Sequence, residues 1–343
     1  MIGKKSGVTT RLKALKLELL TVHCSNHRLA LAAKDSFESI PVFGEIDDTL
    51  SHLFKYYKNS ANRTTSLEKL QKLLDDGPAK KIKQVAHTRW LSHINAVTSL
   101  RDTYSTVIMD LENAVESGQD KVRLGSGPSA SGLIKKVKCY KTIHIVHFLC
   151  DALKPVTQLA LTFEKNDIDL SILHPRLQST IASLKKLKVE DGVNMKKAEI
   201  LLSNNNIIRT EKDKKCITSA KHQFLDNLIS NIECRLENSD IIDNMAVFQL
   251  GEHNSGCLYG NDEVASLADH FNMNSDEVVM EWDRLEETVA DLDSEMTKGP
   301  RQLLKVVYST KATTLNRTVL SQFDKTFDPL WLHSSLSSQL NYK

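Results

Sequence analysis

His23, Cys24 and His27 fall within five positions of one another in VHCSNHRLALAAKD, residues 22–35. An imidazole and a thiolate at that spacing can ligate a metal, serve a catalytic turn, or pack where a strand passes into a helix. Zinc asks for four nitrogen or sulfur ligands, and the chain offers no second closely spaced pair to join Cys24 and His27. Cys139 and Cys150 are eleven positions apart on a core-like segment. No metal and no cofactor are therefore expected. The packing alternative has Cys24 acting as a small hydrophobe at a strand end. In it, His27 bonds to backbone in the first helical turn.

Basic runs are the second source of chemistry. Lys4, Lys5, Arg11, Lys13 and Lys16 crowd the amino end, and Lys80, Lys81 and Lys83 form a second group. Either run can hold a phosphate backbone without reading sequence, or be the solvated face of a helix. His144 and His147 are three apart and in register to meet on one helix, where a packed pair is the expectation rather than a metal site.

The bulk composition excludes several classes. With 41% hydrophobic and 26% charged residues over 343 positions, the chain is neither disordered nor fibrous and can bury a sizeable core. No apolar run reaches the roughly 18 to 20 residues of a membrane span, so no membrane partner is expected. The basic amino end lacks the apolar segment of a secretory signal. The six cysteines form no dense framework, which points to reduced thiols in a nuclear or otherwise cytoplasmic setting. Net charge is only +2, but its distribution is uneven. Residues 261–295 hold twelve acids against one arginine, a local −11 that leaves +13 on the rest. Such an acidic block is a solvated helical face, an internal partner for the basic runs, or a mimic of a polyanion.

The elements that must position these groups read as mostly helical. ELLTVHC, residues 18–24, is short and apolar and reads as a strand, with Ser25 and Asn26 as helix-capping types after it. A helix then runs towards Phe37, broken by Pro41 and Gly44. Leu50, Leu53, Phe54 and Tyr57 share a helical face. Another helix leads through residues 65–74 and stops at Gly77-Pro78. Trp90 opens a helix expected to run to Leu111. Leu133 to Leu153 reads as one periodic segment, ended or kinked near Pro155. Leu173, Leu177, Ile181, Leu184 and Leu187 mark a further helix, and Phe224, Leu228 and Ile232 another. Residues 245–259 read as an irregular connection, and the acidic stretch and the last fifty residues as weakly helical. The expected fold is mainly α, with a small α/β start.

Four motifs then come in a telling order: HCSNHRLALAAKD (23–35), YYKNSANRTTSLEKLQ (56–71), HTRWLSHINAV (87–97) and the run from Ser131 to Ser171 that contains KKVKCYKTIHIVHFLCDALKP. Together they resemble the hAT superfamily of DNA transposases, especially its domesticated, zinc-finger-associated animal members. FLDNLISNIECRL, YGNDEVASLADHF and EWDRL continue the resemblance more weakly. It implies a ribonuclease-H-like core interrupted by a helical insertion domain. Residues 1–95 would be a partial core, and residues 96–343 the insertion-type domain with the acidic stretch 261–295.

In that family, three separated carboxylates hold two divalent metals for phosphodiester chemistry. The chain starts after the position of the second and stops before the last, so all three are expected to be missing. The zinc-finger module and the dimerisation segment are expected to be missing as well. Asp47-Asp48, Asp75-Asp76 and Glu286-Glu287 do not replace them, because adjacent residues on a helix do not face a common point. The resemblance therefore implies a protein that is not an enzyme. Cys24 and His27 would be the relic of a catalytic turn, with a DNA-backbone contact by His27 as a further possibility. Arg89 and Trp90 match a pair in which the indole stacks on an unpaired base and the guanidinium meets phosphate. Burial of Trp90 as the anchor of a helix start is the other reading. Weak, nonspecific DNA binding through Arg89, Trp90, His27, Lys4, Lys5 and Arg11 is the first expected function. A helical scaffold for protein partners is the second.

Overall fold

The computed structural model describes residues 10–11, 25–74, 78–85, 90–118, 128–164, 172–236, 240–248 and 260–289. Helix accounts for 84% of the described residues, and no strand occurs among them. The expected strand at residues 18–24 lies outside the described residues. Two compact units are present. The first comprises Asn26–Leu161 and Thr180–Leu236, and the second draws on Met1–Ser25, Thr162–Ser179 and Glu237–Lys343.

The first unit begins with α1 (Ser25–Glu38), α2 (Pro41–Lys58) and α3 (Ala61–Leu74). Pro41 does separate two helices, but it does so as the first residue of α2. A first-turn N–H has no intrahelical partner, so proline costs nothing there. Gly44, expected to help break the chain, lies inside α2. A mid-helix glycine costs about 1 kcal/mol. Burial of Phe43, Ile46, Leu50, Leu53, Tyr56 and Tyr57 along one face outweighs it.

The helix expected from Trp90 to Leu111 is two helices, α4 (Trp90–Asp102) and α5 (Tyr104–Glu116). Thr103 adopts φ −114° and ψ 14°, and its hydroxyl donates to the carbonyl of Ser99 at 2.7 Å. That local bond competes with the helical ladder and turns the chain. The segment expected from Leu133 to Leu153 is likewise split into α6 (Ala130–Val137) and α7 (Tyr140–Phe163). Lys138, at ψ 52°, makes the break, and the Thr142 hydroxyl holds it by donating to Lys136 O at 2.7 Å. Pro155 does not end α7, which continues to Phe163.

Fifteen residues of α7 are buried, on every side of the helix, so it is the axis around which the first unit packs. The unit's remaining helices are the later part, from Thr180, of α8 (Leu173–Leu187), together with α9 (Val193–Asn204) and α10 (Glu211–Leu236). Phe224 of α10 is fully buried, with its ring centroid 5.1 Å from Phe43 and 5.9 Å from Phe148, both edge-on. Phe37 and His93 extend this aromatic chain beyond Phe43. Each buried phenyl contributes about 1.5–3 kcal/mol, and the edge-on contacts about 0.5–1.5 kcal/mol more. A polar seam fixes the register of α10 on α1. Asn231 Nδ2 donates to Ser36 Oγ at 2.9 Å, and Arg235 pairs with Asp35.

In the second unit, α11 (Asp240–Asn244) leads into a 3₁₀ turn, Met245–Phe248, and α12 (Asn261–His270) is followed by α13 (Ser275–Val289). As far as residue 289, the acidic stretch is thus two packed helices rather than weakly helical. Val264, Leu267, Ala268, Val278, Trp282 and Leu285 are buried, while Asp262, Glu263, Asp269, Asp276 and Glu277 face solvent. Acids in the first turn of each helix also oppose the positive end of its dipole. Gly260, at φ +74°, enters α12 in the left-handed region; a Cβ there would lie 2.1 Å from Val247 Cγ2.

Candidate nucleic-acid interface

The second basic run is placed by a hydrophobic and polar clamp. Between α3 and α4, Ile82 and Val85 are buried, and Lys81 and Lys83 are exposed. Buried Gln71 of α3 grips the segment at two points. Its Oε1 accepts from Lys80 N at 2.6 Å and its Nε2 donates to Lys80 O at 3.0 Å. Lys83 N donates to Ser99 Oγ of α4 at 3.2 Å. An amide side chain that satisfies both backbone groups of one residue stands in for a strand partner, fixing a segment that has no ladder of its own.

Lys80 is exposed as well, but its charge is partly neutralised, because its ammonium pairs with Asp102 Oδ2 at 2.9 Å. Arg101 approaches the other carboxylate oxygen of Asp102 at 2.6 Å. Burial alone would raise the Asp102 carboxyl, but hydrogen bonds from Lys80 and Arg101 outweigh it and hold its pKa below the usual range. Arg101 Nη1 also donates to Asn194 Oδ1 at 3.1 Å. Asn194 Nδ2 donates in turn to Asp151 Oδ1 at 2.7 Å. The same Asp151 accepts backbone N–H bonds from Asn194 and Met195, at 3.1 and 3.0 Å. A carboxylate on α7 therefore caps the amino end of α9, at the far end of a network that starts at Lys80.

The residues singled out from sequence are only partly placed. His27 is the third residue of α1 and is exposed; Arg11 is exposed and helical. Trp90 is the first residue of α4. His23, Cys24, Lys4, Lys5 and Arg89 lie outside the described residues. The described cysteines, Cys139, Cys150, Cys216 and Cys234, are free thiols, and burial pushes that of Cys150 up to about 12. No group of three His, Cys, Asp or Glu side chains among the described residues could hold a metal. No described helix is long and apolar enough to cross a membrane.

The two histidines of α7 are packed. His147 Nδ1 lies 2.7 Å from Ile143 O, which makes it the donor, and its ring lies against Tyr104. The His144 ring is 4.2 Å from that of Tyr140. Burial depresses both imidazoles, His144 to about 4 despite the Glu199 carboxylate 3.2 Å away. A neutral ring makes no ion pair, and His144 Nε2 is not aligned for a hydrogen bond. Two carboxylates at the core's margin, Asp110 and Asp47, also serve packing. Asp110 accepts from the hydroxyls of Tyr57 at 3.0 Å and Ser66 at 2.6 Å. Asp47 meets His93 at 3.0 Å, leaving Asp48 exposed.

Together these features define a mainly α protein with an exposed pair of lysines on a rigidly held segment. No family model and no solved structure matches the chain. Sequence reasoning missed α9 and the capping role of Asp151 altogether. Asp151 sits in an apolar run whose pattern says only that it is helical, and its partner is 43 positions away.

Proposed function

We propose that the chain is a non-catalytic, hAT-transposase-derived protein that binds nucleic acid weakly through backbone phosphates. The observation that carries the reading is the docking of residues 78–85. Anchored by Ile82, Val85 and Gln71, the segment holds Lys81 and Lys83 in solvent a few residues before Arg89-Trp90 and the start of α4. Preset cations lose little entropy on meeting phosphate, and their affinity is sequence-independent and salt-sensitive. Descent from a transposase rests on the four ordered motifs; in this reading residues 1–95 carry the ribonuclease-H-like remnant, and the protein works in the nucleus. The engagement of Asp47, Asp102, Asp110 and Asp151 with separate packing partners supports a non-catalytic role.

Binding of labelled single-stranded and hairpin DNA across a salt series tests this. Affinity should fall with salt, and Lys81→Glu with Lys83→Glu should reduce the log–log slope by about 1.5 to 2. Arg89→Ala with Trp90→Ala should weaken hairpin and single strands most. Equal retention of wild type and both variants at low salt would refute the reading. A second reading, a scaffold for protein partners, is favoured by Val193 and Ile200, exposed and about two turns apart on α9. Partners that survive nuclease treatment would support it.

A further inference from the structure

α2 and the start of α6 line an open cavity of about 520 Å³, and neither Lys81 nor Lys83 is among its described lining residues. His52 and Lys55 of α2 line one part, three positions apart and hence on one face. Lys136 lines it from α6, together with Ser129, Leu133 and Pro128. Neither lysine has an ion-pair partner among the described residues, and no carboxylate is among the described residues that line the space. Two lysines and a histidine thus line one concavity whose described residues supply no counter-charge, an arrangement that a bound dianion relieves. Ser129 Oγ accepts from Gly132 N at 3.1 Å, which fixes the hydroxyl at the rim.

The volume lies within the roughly 300–1,000 Å³ of small-molecule sites, far more than a phosphate group fills. Leu133, itself buried, and Pro128 give the remaining space an apolar wall. We propose that this cavity binds a phosphomonoester carrying a small apolar body. The lysines hold the phosphoryl oxygens by charge-assisted hydrogen bonds, and the organic portion rests on Leu133 and Pro128. The proposal uses none of the residues assigned to nucleic acid and does not rest on that reading.

Titration calorimetry of the full chain with phenyl phosphate, and with its two halves inorganic phosphate and phenol, tests it. Phenyl phosphate should bind saturably and more tightly than inorganic phosphate, and phenol should not bind. Lys55→Gln with Lys136→Gln should weaken phenyl phosphate about tenfold or more, whereas Lys55→Arg with Lys136→Arg should retain it. Both lysines are exposed, so the fold should persist, as circular dichroism would register; Lys136→Gln alone should show a smaller loss in the same direction. Lys81→Glu with Lys83→Glu should leave phenyl phosphate affinity unchanged. Absence of saturable phenyl phosphate binding, equal affinity in the glutamine variant, or phenol binding as tightly as its ester would overturn the assignment.

Discussion

Replacing Asp151 by alanine removes both acceptors that close the amino end of α9. Two backbone N–H groups, those of Asn194 and Met195, lose a charged partner, and Asn194 Nδ2 loses a third bond. Loss of a helix cap costs about 0.5–2 kcal/mol, and bonds to a charged group are the stronger kind. The expected destabilisation is about 2–3 kcal/mol. Gly192→Ala attacks the same cap from the other side. Its backbone, at φ −69° and ψ 174°, suits any residue, so strain comes only from the new Cβ. That atom would stand 2.3 Å from Asp151 Cγ and 2.4 Å from Oδ2, forcing the carboxylate off its donors. Alanine at 151 removes those two contacts, although its Cβ remains 2.8 Å away. The double variant should therefore lose less than the sum of the singles, with a coupling of about 1 kcal/mol or more. Urea unfolding of the four proteins measures the cycle. Additive losses, or an Asp151→Ala cost below about 0.5 kcal/mol, would show that the cap does not hold α9.

Two further outcomes concern buried titratable groups. His144 is nearly inaccessible, and its folded pKa of about 4 lies below the ordinary 6.5, so stability is full above pH 6.5 and drains as pH falls towards 4. The loss from this one group should be about 3 kcal/mol between pH 7 and pH 4; His144→Gln should flatten that part of the stability curve, and parallel curves would contradict the argument. Asp110→Ala leaves the Tyr57 and Ser66 hydroxyls without their acceptor and should cost about 2–3 kcal/mol, more than Asp110→Asn, in denaturant unfolding at pH 7. Burial raises the Asp110 carboxyl despite those two bonds, so the folded state gains from protonating it, and that gain is lost as pH rises through the raised value. Wild type should accordingly improve relative to Asp110→Asn on acidification, and a constant gap would count against a raised carboxyl.

Much of the helical content was legible because apolar spacing is a local signal. Leu50, Leu53 and Tyr57, or Phe224, Leu228 and Ile232, announce a buried face whatever they pack against. Breaks were less legible. Thr103 and Lys138 interrupt helices without a glycine or proline, through single hydrogen bonds and one changed ψ, whereas Pro155 and Gly44 sit inside helices that packing sustains. The acidic stretch misled for a related reason, since twelve acids dominate its composition while seven buried apolar residues among those described decide its structure.

The basic surface divides in the same way. That Lys80, Lys81 and Lys83 form a cationic run is a property of the sequence, and so is the order of the four motifs from His23 to Ser171. Only the tertiary structure decided that Lys80, exposed like Lys81 and Lys83, pairs with Asp102, and that His52, Lys55 and Lys136 line one cavity. The cause is range. Helix formation answers to neighbours three and four positions away, but the pairing and placing of charges depend on contacts between residues tens to hundreds of positions apart, which no local pattern encodes.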